Sequence, residues 1–454
     1  MRANEAADSL GSVFVGRRGR LLAGLLLAEF AAAVQTIAYS AVLPLASSEL
    51  SGASLYGATV AAGSLTTLLV LASGPGIIGR LGPRRALVIA TSLYVGGVLL
   101  AALAPAMGLV LAGSVLRGLA SGVLLGVGLT AIGGLYEDSL RRRVLGLFAL
   151  MWLLPSFAGP VVNSLVAAAF GWRWAMAWPA VLVLVARMLV VRDAGLIPWR
   201  PERERLEIGT GLWLVAGLVL ASVASGLGYS WSAGLFGVGV LIGLVASWRV
   251  VNHLTAGVGV KVRARVIPFF GLCLAFFGGQ GLVSLAIIEG QGRGVVAASV
   301  ALGAGLVAWS LVGLRPGRTD AWLGDTATLG LLWLAAALVA LAAATPSGAS
   351  AGFVVAVGAF AVAGIGMGMA YPRLSAEAFD ELPSDNVSRV ATAVGFAEVA
   401  GTAVGSLLGG GVYSLAGSVD AGASISISTA FVLLALAAGA AGLACARRGR
   451  PLVA

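Results

Sequence analysis

Charge is scarce in this chain. Only 11% of its 454 residues are Asp, Glu, Lys or Arg, against about 25% in soluble domains. Apolar residues make up 59%, more than a water-soluble core of this size can hide, which excludes both a soluble enzyme and a disordered chain. Histidine occurs once, as His253 in a polar stretch, and cysteine twice, as Cys273 and Cys445 within apolar runs. These counts leave no disulfide framework, no metal-ligand spacing and no buried histidine for acid–base work. A phosphate-cradling glycine loop and an acid pair in a polar loop are missing too. The chain is therefore not expected to be an enzyme, to be driven by ATP, or to need a metal or other cofactor. Basic residues do not interleave with aromatics, so nucleic acid is not an expected partner despite a net charge of +10.

Apolar runs are what the chain has in abundance. A membrane-spanning helix needs about 20 residues. Such runs fall at roughly 20–45, 53–73, 86–105, 108–134, 144–168, 174–191, 209–227, 232–248, 266–288, 294–313, 326–345, 350–371, 390–415 and 424–446. They predict an all-α polytopic membrane protein of fourteen spans, or twelve if the short central hairpin lies within the interface. On this assignment 26 of the 29 basic residues fall on one side, Arg173 and Arg293 on the other, and Arg117 within a span. Basic loops face the cytoplasm, so both termini are expected there, in a plasma membrane of bacterial type. The Arg17-Arg18-Gly19-Arg20 cluster opens an uncleaved first span rather than a signal peptide, because the run behind it is long and carries Glu29. The expected layout is a cytoplasmic N-terminus (1–19), a six-helix bundle (20–191), a linker (192–208), the central hairpin (209–250), a loop (251–265), a second six-helix bundle (266–446) and a cytoplasmic tail (447–454).

An internal repeat is visible at a shift of 246 residues. It lays Arg143-Val144 on Arg389-Val390, and Pro155, Gly159 and Asn163 on Gly401, Gly405 and Gly409. Breaker or small residues at four-residue spacing let helices approach closely in lipid. Two similar halves, related by a pseudo-twofold axis, point to a transporter with its site at mid-membrane between them.

Four stretches carry a family resemblance. The first is Gly74-Pro75-Gly76-Ile77-Ile78-Gly79-Arg80-Leu81-Gly82-Pro83-Arg84-Arg85, after the second span. The second runs from Gly146 through Pro155 to Gly159-Pro160. The others are Trp172-Arg173-Trp174 and Gly364-Ile365-Gly366-Met367-Gly368-Met369-Ala370-Tyr371-Pro372. Together they resemble the major facilitator superfamily, specifically its fourteen-helix drug/proton antiporter branch. Gly79 stands where that family's loop motif has an acid, and Pro83 where it has an arginine. Pro155 and Asn163 replace glycines usual in the antiporter helix. The resemblance implies gating roles for Arg80, Gly82, Arg84, Gly146, Pro155, Gly159 and Pro160. The family's Asp nine residues before the first-helix proline is Gln35 here, which cannot titrate.

Three ionisable side chains lie well inside spans. Glu29 falls nine residues after Arg20, about 13 Å into the membrane at a rise of 1.5 Å per residue. Arg117 lies about 14 Å in from the opposite face, and Glu398, nine residues after Arg389, reaches a similar level. Intramembrane charges are functional candidates by default, and a Glu29–Arg117 pair at one depth fits proton coupling. The resemblance assigns such roles to a first-helix acid and a fourth-helix arginine. Glu398 is the alternative carboxylate. An ion pair that merely locks helices fits the same residues. Gln35, Thr36, Tyr39, Ser40, Asn163, Gln280 and Trp309 are the candidate lining of a mostly apolar cavity, and interhelical hydrogen bonding is their plainer role. The function expected is proton-driven antiport of hydrophobic or amphipathic small molecules, including cations, by alternating access. Export of a lipid or glycolipid is the second transport expectation; a membrane receptor or membrane-embedded enzyme is the alternative of another class. Protons, a small amphipathic substrate and membrane lipid are the expected partners, and a monomer the expected state.

Overall fold

The computed structural model describes residues 14–73, 76–136, 138–199, 208–227, 231–313, 325–380, 382–417 and 422–447. The side chains of Ser40, Arg142 and Pro160, and residues 74–75, 200–207 and 228–230 of the motif, linker and hairpin turn, lie outside that description. Among the described residues the chain is helical throughout, with seventeen α-helices and no strand. In lipid this is forced, because each backbone N–H and C=O must find its partner within the segment.

In order, α1 is Gly16–Glu49, α2 Ala53–Ala72, α3 Gly76–Leu81, α4 Pro83–Ala102, α5 Met107–Leu135, α6 Asp138–Leu150, α7 Leu153–Phe170, α8 Trp172–Ala177 and α9 Pro179–Asp193. There follow α10 Ile208–Gly226, α11 Ser232–Thr255, α12 Val260–Leu285, α13 Val295–Gly313, α14 Thr326–Ala344, α15 Ser350–Glu377, α16 Val387–Gly417 and α17 Ala423–Ala446. Twelve spans among the described residues are long and apolar enough to cross a membrane, α10 and α11 of the central hairpin included. With α2 and α7 added, each of the fourteen apolar runs is helical. The stretch expected as a 251–265 loop is mostly helix, α11 and α12 closing it to residues 256–259. Two spans expected to be continuous are broken, between α6 and α7 at Met151-Trp152 and between α8 and α9 at Trp178. Proline explains both, since Pro155 and Pro179 lack the N–H that would continue the ladder across the break.

The chain divides into two compact units, Met1–Ile208 with Glu381–Gly395, and Gly209–Asp380 with Phe396–Ala454. The hairpin thus clusters with the C-terminal bundle, where Phe236 of α11 fits under Gly411 and Ser414 donates to the Ser225 carbonyl at 2.8 Å. Each unit repeats one packing scheme. In the N-terminal unit α1 packs on α9, α4 on α5, and α2 on α5; in the C-terminal unit α12 packs on α17, α14 on α15, and α13 on α15.

Glycine makes these crossings possible. A Cβ added at Gly97 would lie 2.7 Å from the Gly113 carbonyl oxygen, and one at Gly330 would lie 2.5 Å from that of Gly366. One added at Gly118 would strike the Gly63 backbone, and at Gly364, the residue the 246 shift brings from Gly118, the Gly305 backbone. The helices named in the sequence repeat also pack alike. Gly159 of α7 sits on Ile37 of α1, while Gly401 and Gly405 of α16 meet the Phe270 and Leu274 carbonyls of α12. Backbone contact of this kind replaces the hydrophobic drive that lipid cannot supply.

Ion pairs close the ends. Arg17 and Arg20 place Nε 3.1 and 3.4 Å from the buried Asp193 carboxylate, joining α1 to α9. Nearby, Tyr136 donates to the Arg18 carbonyl at 3.2 Å, and burial pushes its phenol up to about 12, against the opposing charge of Arg18. At the other end of α1, Glu49 accepts from Arg173 and from the Trp172 indole at 2.7 Å. In the C-terminal unit Arg265 lies 3.6 Å from Glu377 and 3.8 Å from Asp380, and Arg373 lies 2.7 Å from Glu377.

Two outcomes are expected. Gly364→Ala destabilises the purified protein by roughly the 1–3 kcal/mol typical of overpacking, read as a lower melting temperature, whereas Gly358→Ala on the same helix, with nothing within 4 Å of the added carbon, is neutral or slightly stabilising. The hydrogen bonds from Arg173 and Trp172 hold the Glu49 carboxyl below the usual carboxylate range. Its contribution is therefore present above the unfolded value and lost as pH falls through the lowered one. Melting temperatures of the wild type and Glu49→Gln accordingly differ at neutral pH and converge in acid.

Candidate functional site

Within the N-terminal unit the charges inside the described spans fall into two groups, around Glu29 and around Arg117, with Tyr94 next to both. On α1, the half-buried Glu29 accepts a hydrogen bond from the Trp152 indole, Nε1 to Oε1 2.8 Å. Its charged neighbour is Arg187 of α9. Arg187 in turn interacts with Tyr94 of α4. The Glu29–Arg117 pair expected from matching depth does not form. Depth fixes height along the membrane normal but not azimuth, and α1 packs far more extensively on α9 than on α5, which it meets through Tyr39 rather than Glu29.

Arg117 instead lies over tyrosine. Its guanidinium carbon stands 3.9 Å from the Tyr39 ring centroid and 5.9 Å from that of Tyr94. Its Nε and Nη1 are sealed from solvent with no hydrogen-bond partner. The Tyr39 hydroxyl is engaged with Ser114 of α5. At this level of the described spans stand one carboxylate, Glu29, and two guanidinium groups, Arg187 and Arg117.

Several candidate cavity residues turn out to brace helices. Gln35, fully buried, donates from Nε2 to the Met176 carbonyl at 3.0 Å, leaving Oε1 without a partner. Asn163, 1% exposed, donates to the Ala38 carbonyl at 2.9 Å and accepts from the Trp178 indole at 3.2 Å, tying α7 to α1 and to the α8–α9 break. Thr36 is exposed and satisfies itself on the Ala32 carbonyl of its own helix. Among the motif residues, Gly82 takes φ of +72° at the start of α4. Trp199 stacks beside it and donates to the Ile78 carbonyl at 2.9 Å. Arg80 and Arg84 are exposed, and Gly146 and Pro155 are buried.

In the C-terminal unit Trp309 of α13 is buried among Phe276 and Phe277 of α12 and Tyr371 of α15, with ring centroids 5.3, 6.0 and 5.8 Å away. Its indole Nε1 has no acceptor. Gln280 is half buried on α12. Glu398, half buried on α16, is within electrostatic reach of the buried Cys273 on α12.

The principal residue missed from sequence is Arg187, counted there among the cytoplasmic basic residues. A signal for it exists: Val183, Arg187, Val190 and Ala194 share one helix face, and the three apolar members are buried. Trp152 and Trp178 are likewise not among the candidates read from sequence. The helix breaks turn both indoles onto partners inside the unit.

Comparison with known proteins places this architecture. The sequence profile of the Major Facilitator Superfamily matches residues 25–406. Over 429 residues the chain is 28% identical to a "probable multidrug-efflux transporter" of Mycobacterium tuberculosis, covering 88% of this chain and 86% of that one. Over 382 residues it is 28% identical to a triacylglyceride transporter of Mycobacteroides abscessus, covering 75% and 71%. Its fold is similar to the crystal structure of the human organic anion transporter MFSD10, with a TM-score of 0.65 at 14% identity over 93% of this chain and all of that one. The chain belongs to the Major Facilitator Superfamily and is a multi-pass membrane transporter, not an enzyme.

Proposed function

We propose that the protein is a proton-coupled exporter of hydrophobic or amphipathic small molecules, working by alternating access, and that Glu29 carries the proton. The observation behind this is the environment of Glu29, held inside the N-terminal unit between one neutral donor, Trp152, and one cation, Arg187. Such a site tolerates both states of the acid. The charged form is balanced by Arg187, and the neutral form keeps the indole hydrogen bond. Protonation removes the attraction of Glu29 for Arg187, one of the links between α1 and α9, and deprotonation restores it, so the proton's arrival becomes a change in helix contact. Arg187 thus takes the partner role expected of Arg117. Glu398 beside Cys273 is the second candidate carboxylate.

The relative named for multidrug efflux supports the substrate class. The triacylglyceride transporter among the relatives supports a second reading, lipid export. We place the protein in a bacterial plasma membrane, both termini cytoplasmic, on the distribution of arginine, and propose a monomer. Each 100 mV of potential supplies about 2.3 kcal/mol per charge moved, roughly a 50-fold gradient.

Glu29→Gln in proteoliposomes is expected to abolish accumulation driven by a pH gradient while retaining exchange of labelled substrate down its own gradient. Arg187→Gln is expected to displace the pH profile of flux, and Arg117→Gln to leave that profile in place. Coupling unchanged in Glu29→Gln assigns the proton to another group and overturns the proposal. Flux of a fluorescent phospholipid without flux of dyes selects lipid export.

A further inference from the structure

Proton carriage leaves Arg117 without a task. Arginine within a span is costly and persists where something pairs with it. Arg187 has Glu29. For Arg117 the described surroundings supply aromatic rings and a hydroxyl but no carboxylate: the Tyr39 face at 3.9 Å, the Tyr94 ring at 5.9 Å, and the Tyr39–Ser114 hydrogen bond beside it. The rings stabilise a cation through their quadrupoles, yet they cannot accept the in-plane N–H bonds of a guanidinium. Two of those donor atoms, Nε and Nη1, remain unmet and shut off from water. Leaving buried donors unmet is unfavourable, and the complement of a planar fork of N–H donors is the oxygen pair of a carboxylate or phosphate. The side chain as a whole is half buried, so it retains an accessible side.

We infer that Arg117 is an oxyanion subsite: the molecule carried bears an acidic headgroup, carboxylate or phosphate in type, that approaches the guanidinium from its accessible side, by Tyr39 and Tyr94, and supplies the acceptor its buried donors lack. The chemistry is that of an acidic amphiphile rather than of a lipophilic cation, which the guanidinium would repel. The inference deepens the transport proposal and rests on it for carriage, though not for binding, so the two fail separately.

The test is equilibrium binding to the purified full-length protein in neutral detergent. Three probes share one fluorescent acyl chain and end in a carboxylate, a methyl ester or a trimethylammonium group. The wild type is expected to bind the acid at least about tenfold more tightly than the ester, the size of a charge-assisted hydrogen bond, and the cation most weakly. Arg117→Gln is expected to bring the acid to the level of the ester while leaving ester affinity unchanged, which also shows that the variant is folded. Arg117→Lys keeps the charge without the fork and is expected to retain part of the preference. Inorganic phosphate is expected to displace the acid probe only in large excess, whereas displacement at concentrations comparable to the probe reduces the subsite to one for small free anions and overturns the amphiphile. Equal binding of acid and ester by the wild type, or an acid preference intact in Arg117→Gln, overturns the subsite itself. Should Arg117→Gln not fold, the wild-type comparison and Arg117→Lys decide. Loss of pH-driven flux in Glu29→Gln is read independently, because none of these binding measurements involves a gradient.

Discussion

Between α1 and α9 one constraint stands out, a carboxylate and a guanidinium within electrostatic reach of each other inside an apolar bundle. Each charge at a helix centre costs roughly 2.5–3.5 kcal/mol on insertion scales, so neither Glu29 nor Arg187 is tolerable without the other or an equivalent. The break at Met151-Trp152 brings an indole within 2.8 Å of Glu29, and the ends of α1 and α9 are tied by Arg17 and Arg20 on Asp193. A straight fifth span would have satisfied its own backbone better and left the carboxylate with one partner fewer.

Around this centre the units are built to resist internal deformation. Crossings such as Gly97 on Gly113 and Gly330 on Gly366 bring backbones together with no side chain between them. A contact of that kind has little room to slide, because any rotation drives a neighbouring side chain into a carbonyl. Large hydrophobic side chains are correspondingly few at these crossings and fill the layers between them, as Phe276 and Phe360 do, stacked with centroids 5.7 Å apart. Polar braces such as Asn163 between Ala38 and Trp178 fix the remaining freedom between elements. Alternating access by movement of repeats requires stiff blocks of this sort, with change concentrated where charge can be switched.

Sequence carried the architecture well, because lipid imposes it. Run length and small residues at four-residue spacing each reflect a hard constraint. All fourteen apolar runs are helical, and the repeat found at 246 residues corresponds to like packing in the two units. The interior was less legible. Depth along a helix follows from counting, and Glu29 and Arg117 were correctly placed within spans by that count. Azimuth depends on which helix packs where, and this assigned Glu29 to Arg187 instead. Arg187 itself was obscured by position, six residues from the end of α9 beside Arg192 and Asp193, where a basic residue reads as a topology anchor. Trp152 was obscured by the proline-induced break, which turns the residue onto a partner that a continuous helix would have placed elsewhere.

The separation of the two guanidinium groups bears on the kind of transport cycle available. Protonating Glu29 raises the positive charge of the interior by one, and this field favours an anion at Arg117; by reciprocity a bound anion favours the proton. That sign suits co-transport, whereas exchange requires each species to leave before the other binds. Had Glu29 paired directly with Arg117, protonation would have freed Arg117 for the anion in a single step. Separate partners weaken this direct coupling and hand control to helix position. The connecting element is α1, which carries both Glu29 and Tyr39. As proposed, when Glu29 loses its charge and with it the pull of Arg187, α1 shifts about its Asp193 anchor and carries the Tyr39 ring that supports Arg117. On the proposed scheme the proton therefore acts on the anion site by withdrawing its aromatic platform, opposing the field and giving exchange its required sign.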